Sequence, residues 1–123
     1  MKNYSGFTLI ELLVTVAILA IVSSIAIPAY NGYIKSARMV EAKNNIAALV
    51  LAEEEFFLEN NNYFTGNNAG ELNTNSAGLW TVRGSDGTVN FSYIVSSANT
   101  ATTFSIEATG TGAAVIGETE SYP

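Results

Sequence analysis

LLVTVAILAIVSSIAIPAYNGYI, residues 12–34, contains no charged residue and is mostly aliphatic. At roughly 1.5 Å of rise per residue, a helix over it extends ~34 Å, against about 30 Å of bilayer hydrocarbon. The segment is long and apolar enough to cross a membrane. Read as a cleaved secretory signal instead, it has Lys2 as a basic n-region and Ser24-Ile25-Ala26 as a small-residue cleavage site. Against that reading, the n-region is very short and Glu11 interrupts the apolar run near its start. A carboxylate near mid-bilayer costs roughly 2.5–3.5 kcal/mol on insertion scales, so Glu11 either lies at the headgroup level, close to the chain start, or is paired.

Composition removes several function classes. The sequence has 123 residues and a net charge of −6, with 5 Lys and Arg against 11 Asp and Glu. That balance lacks the basic footprint that neutralises phosphates, so no direct contact with nucleic acid is expected. There is no Cys and no His. Disulfides, thiolate chemistry, the commonest metal ligand and the usual general base are therefore absent together. No nucleophile sits beside a base and no Gly-rich phosphate loop follows a strand, so neither an enzyme nor a small-molecule site is expected.

The stretch Gly6-Phe7-Thr8-Leu9-Ile10-Glu11, preceded by a short polar leader with Lys2 and followed by the aliphatic run to Pro28, resembles the prepilin signature of type IV pilins and of the pseudopilins of type II secretion. The motif is highly specific and covers the first quarter of the chain. The resemblance implies that a prepilin peptidase cuts between Gly6 and Phe7 and that the new amino group of Phe7 is N-methylated. It also implies that Glu11 serves subunit assembly, with the assembly platform of the bacterial inner membrane as a partner and an extracellular pilus as the destination. Chemistry fits each part. Glycine lets an extended backbone approach a protease site closely. Cleavage creates a cationic amine four residues from Glu11, and only an acid paired with such an amine on a neighbouring copy is tolerable in a protein-filled fibre core. Before cleavage Glu11 is expected to lack such a partner. A positive-inside count opposes this topology, because Lys35, Arg38 and Lys43 follow the span whereas only Lys2 and the amino terminus precede it. The motif is the more specific of the two signals.

Further along, Pro28 removes a backbone donor and crowds the carbonyl of Ser24, so a kink is expected there, with Ser23 and Ser24 able to bond freed carbonyls. Beyond Asn31-Gly32, residues Met39, Ala42, Ile46, Leu49, Val50 and Phe57 share one arc at 100° per residue. Glu53 falls in that arc, which suggests a partner such as Arg83 or a place at the rim. Glu53, Glu54, Glu55 and Glu59 read as a solvated acidic face, poorly placed for the helix dipole. Lys35, Arg38 and Lys43 are expected to meet such acids on an adjacent subunit.

From Asn60 to Ser76 the composition turns to Asn, Gly and Thr and reads as a long loop anchored by Tyr63, Phe64 and Leu72. Leu79-Trp80-Thr81-Val82 reads as a short strand, and Gly84 to Gly87 as a turn. Val89, Phe91, Tyr93 and Val95 alternate with polar residues, as do Phe104, Ile106 and Ala108 after a turn at Ser97 to Thr100. Trp80, Phe91, Tyr93 and Phe104 are assigned to the core. Residues 110–123 read as a strand remnant and a tail that, without Cys, is held by packing alone or mobile. The scattered Asp86, Glu107, Glu118 and Glu120 do not form the compact oxygen-rich loop that calcium requires, so no metal or cofactor is expected.

The expected fold is α+β: a long N-terminal helix, transmembrane then amphipathic, packed on a three- to four-stranded antiparallel sheet. Its parts are a leader (1–6), a membrane and filament-core helix (7–30), an amphipathic half (31–59), a connecting loop (60–78) and a sheet head with tail (79–123). The resemblance implies a homo-oligomeric filament subunit of the major type, serving adhesion, twitching motility or DNA uptake. A major pseudopilin, a minor tip pilin and a membrane-anchored adhesive module are the alternatives.

Overall fold

The computed structural model describes residues 1–2, 5–83, 89–97 and 103–123. Helix α1 (Leu9–Asn60) is followed by helix α2 (Ala69–Asn75) and strands β1 (Phe91–Ser97), β2 (Phe104–Gly110) and β3 (Thr119–Tyr122). The chain divides into two units, Met1–Ile34 and Lys35–Pro123, and α1 contributes to both.

In the first unit α1 remains helical through Pro28. The lost donor is accommodated without ending the helix. Ser24 Oγ donates to the Ile21 carbonyl at 2.7 Å, one turn back, rather than to a carbonyl that Pro28 frees. The most apolar 18-residue window of α1 has a mean hydropathy of 2.6, and none of it is buried.

The second unit holds the core. Ala42, Ile46, Leu49 and Ala52 of α1 pack with Phe91, Tyr93 and Val95 of β1, Ile106 and Ala108 of β2, and Phe64, Leu72, Trp80 and Val115. Each large apolar side chain buried here contributes about 1.5–3 kcal/mol, a driving force that the first unit lacks within a single chain. The sheet is an antiparallel meander of order β1-β2-β3. Its register sets Tyr93 opposite Ala108 and Val95 opposite Ile106, so the alternation read from the sequence faces the helix. Phe104 is only partly buried, between Tyr63 at 4.7 Å and Tyr122 at 5.7 Å centroid separation.

The strand expected at Leu79–Val82 is absent because side chains satisfy its backbone. Trp80 N–H donates to Ser76 Oγ at 3.3 Å, and the Trp80 carbonyl accepts from Asn73 Nδ2 at 2.9 Å. Asn45 holds both backbone groups of Arg83, with Nδ2 donating to the carbonyl at 2.8 Å and Oδ1 accepting from N–H at 3.1 Å. The long loop contains α2, which begins with Asn68 Oδ1 accepting from Glu71 N–H at 3.0 Å while Glu71 Oε2 accepts from Asn67 N–H at 2.9 Å. The turn expected at Gly84 to Gly87 and residues 98–100 of the turn after Ser97 lie outside the described residues.

The tail is fixed. β3 pairs with β2 from Thr119 opposite Thr109 to Tyr122 opposite Ile106. Lys35 Nζ meets Glu118 at 2.6 Å and Lys43 Nζ meets Glu120 at 4.0 Å, while Arg38 meets Glu41 at 3.6 Å. The three cations expected to reach a neighbouring subunit are therefore engaged with acids of their own chain, and two of them hold the C-terminal segment.

Candidate functional site

The segment singled out by sequence is Gly6 to Glu11. Gly6 and Phe7 precede α1, and both are exposed, Phe7 at 90 %. Space around Gly6 is open: an added Cβ would find no atom within 4 Å. The bond before Phe7 is thus sterically accessible. Thr8 is the helix N-cap, its carbonyl accepting from Leu12 N–H at 3.2 Å. Thr8 Oγ1 accepts from Glu11 N–H at 3.3 Å, and Glu11 Oε2 accepts from Thr8 N–H at 2.9 Å and from Thr8 Oγ1–H at 2.8 Å. This is a reciprocal capping box, in which two orphan amides of the first turn are satisfied by two side chains.

Glu11 thus has a hydrogen-bonding partner within its own helix start, distinct from the amine that the sequence reading pairs it with. Thr8 is the residue that reasoning from the sequence missed, although Thr-x-x-Glu ahead of an apolar run is itself a helix-start signal. The negative carboxylate also lies at the positive end of the helix dipole. Around it Phe7, Ile10, Glu11, Val14 and Thr15 line one shallow depression, and the large apolar side chains from Phe7 to Ile27 are exposed in the single chain. Such a surface requires lipid or other apolar helices around it.

On the head, acids and amides dominate. Tyr93 is fully buried, and burial raises its hydroxyl to about 12 even though Asn45 Nδ2 donates to it at 3.0 Å. Glu53 is the outlier of the apolar arc. It has no exposed surface, and its Oε2 accepts from Phe64 N–H at 3.1 Å, so Arg83 is not its partner. Burial pushes its carboxyl up to about 7, against that hydrogen bond. Among the described residues no group of three or more acids could hold a metal ion.

Residues 28–118 match a family model described as type IV minor pilin ComP, DNA uptake sequence receptor, and residues 1–27 match the prokaryotic N-terminal methylation motif. The type IV major pilin protein PilA of Myxococcus xanthus is 45 % identical over 58 residues, which are 47 % of this chain and 26 % of that protein. A fimbrial protein of Pseudomonas aeruginosa is 44 % identical over 59 residues, 48 % of this chain and 38 % of that one. The prepilin peptidase-dependent protein D of Escherichia coli is 49 % identical over 41 residues, 33 % and 28 % of the two chains. The chain thus spans well under half the length of these relatives. No solved structure matches it. A methylation motif ahead of an exposed apolar helix, followed by a pilin-family match over the helix and sheet, makes the chain a member of the type IV pilin family, whose members are structural subunits and not enzymes.

Proposed function

We propose that this chain is the precursor of a major-type pilin that polymerises with its own copies into a pilus. A prepilin peptidase cuts between Gly6 and Phe7, Phe7 is N-methylated, and the amine of one copy pairs with Glu11 of the next as subunits leave the inner membrane for the fibre. Pro28 is the point at which the helix loosens inside that fibre. The single observation that carries the reading is the exposed apolar helix bearing one carboxylate, Glu11, beside an open Gly6–Phe7 bond. A soluble monomer would leave that helix unburied; a fibre core covers it. Intact mass and N-terminal sequence of sheared surface fibres test it: a start at Phe7 with one added methyl is expected, and Glu11→Ala is expected to insert into membranes but to yield few fibres. Fibres that retain residues 1–6, or normal yield from the variant, would refute the proposal.

The match of residues 28–118 to a model described as a DNA uptake sequence receptor favours a second reading, a minor pilin that binds DNA. Charge weighs against direct contact. Of the five basic residues, Lys2 lies in the leader and Lys35, Arg38 and Lys43 pair with acids of the chain, so among the described residues Arg83 is the one on the head without such a pair. One phosphate contact gives a slope of the log association constant against log salt of about −1. Anisotropy with duplex DNA separates the readings, since a slope steeper than about −4 would favour the DNA receptor.

A further inference from the structure

Glu53 is a charged-type residue buried on the core side of α1. Among the described residues its Oε1 has no hydrogen-bond partner, while Oε2 accepts from the Phe64 amide at 3.1 Å. Phe64 lies at the middle of the Asn61–Gly66 segment. One end of that segment leaves α1 with Asn61 N–H on the Phe57 carbonyl at 2.8 Å, and the other is bridged to Val95 of β1 at 2.8 and 3.2 Å. Between these anchors Glu53 bonds the Phe64 amide, Phe64 meets Phe56 edge-on at 5.4 Å within the core, Tyr63 stacks on Phe57 at 4.7 Å and meets Phe104 at 4.7 Å, and the Thr65 carbonyl accepts from Asn75 Nδ2 at 2.6 Å. Asn61 has a positive φ of 56°, a conformation that release would relax.

We propose that Glu53 is a proton-operated latch, which holds the Asn61–Gly66 segment on α1 while protonated and lets it open when the proton leaves. A carboxylate in a site with one donor and an orphan oxygen is much costlier than the neutral acid, and opening the segment lets water reach it. The surrounding groups do not offset the charge. Glu54, next on α1, repels it and accepts from Tyr63 Oη at 3.5 Å. Tyr63, on the segment, is held above its usual range by burial, then by Glu54 and Glu53, with Tyr122 of β3 adding to this. On β1 the bridge residue is Val95 and Tyr93 is committed to Asn45, while Glu71 of α2 bonds Asn67. No cation is among them.

With a buried value of about 7 and an open value of 4.5, opening gains about thirtyfold between roughly pH 5.5 and 8.5. The test uses the full chain in detergent micelles, with the Glu53 carboxyl followed by carbon-13 NMR and amide exchange corrected for its intrinsic pH dependence. A Glu53 midpoint near 7 and protection at Phe64 that falls about thirtyfold relative to Thr111, whose amide bonds the Asn90 carbonyl at 2.8 Å, are expected. Glu53→Gln is expected to abolish that fall. A wild-type midpoint at the ordinary 4.5, or Phe64 protection that parallels Thr111, overturns the latch whether or not the variant folds. Survival of the pH-dependent release in a folded Glu53→Gln chain overturns it as well.

Discussion

Asn45→Ala is the substitution that tests the packing logic of the head most directly. The side chain makes three hydrogen bonds, two to the backbone of Arg83 and one to the hydroxyl of Tyr93, while its own carbonyl accepts from Trp80 Nε1 at 3.3 Å. At about 1 kcal/mol net per bond, with the hydroxyl of fully buried Tyr93 left without its donor, the loss is about 3 kcal/mol. For a domain of this size that lowers Tm by about 10–20 °C. Tyr93→Phe breaks one of the three bonds and costs about 1 kcal/mol, and the double variant is expected to cost no more than Asn45→Ala alone, a coupling of about 1 kcal/mol. Trp80 is the only tryptophan and is 2 % exposed, so its fluorescence during urea or thermal unfolding of the full chain in detergent reports on this site. A cost below about 0.5 kcal/mol for Asn45→Ala, or strict additivity with Tyr93→Phe, would refute the claim that the amide, rather than apolar burial, fixes the Trp80–Arg83 segment.

Because the folded value of Glu53, about 7, lies above its ordinary 4.5, the folded chain keeps a proton that the unfolded chain gives up; urea unfolding should show stability that is full below pH 4.5 and falls by about 3 kcal/mol as pH rises through 7, with Glu53→Gln flattening the curve. Gly110→Ala should cost at least about 2 kcal/mol, since its Cβ would overlap the Val115 carbonyl, whereas Gly32→Ala, with nothing within 4 Å, should leave thermal unfolding unchanged or raise it slightly. The Lys35–Glu118 and Lys43–Glu120 pairs are largely exposed, so Lys35→Ala should cost under about 1 kcal/mol and added salt should erase the difference; a salt-insensitive loss above about 2 kcal/mol would contradict the assignment.

What could be read in advance was whatever repeats with a period. The uncharged run, the arc at Ala42, Ile46 and Leu49, and the alternation at Phe91, Tyr93 and Val95 each carry a spacing that only one kind of element uses, and the structure places them accordingly. Elements fixed by single side chains were not legible in this way. Leu79–Val82 has strand composition, yet Ser76, Asn73 and Asn45 occupy the backbone groups that a ladder needs. Helix α2 hides in an Asn-rich stretch because its signal is the Asn68 and Glu71 cap rather than an apolar face. Buried Glu41 and Asn45 were invisible to a search for apolar residues, since polar side chains enter a core only when partners elsewhere in the chain satisfy them.

At Glu11 the structure makes two roles separable that the sequence merges. The carboxylate caps the first turn of α1 through Thr8, which offsets part of the cost of carrying an acid in an apolar helix. That role alone would explain an acid at this position without any filament. The proposed pairing with an amine on a neighbouring copy would be a second role, and it needs the charge. Glutamine at the same helix position still accepts from the Thr8 amide, as capping boxes with Gln do, but carries no charge. Glu11→Gln should therefore keep the helix start while losing fibres, whereas Glu11→Ala should lose both. If Glu11→Gln polymerises as well as the parent and Glu11→Ala does not, the cap suffices and the intersubunit ion pair is not what selects the acid.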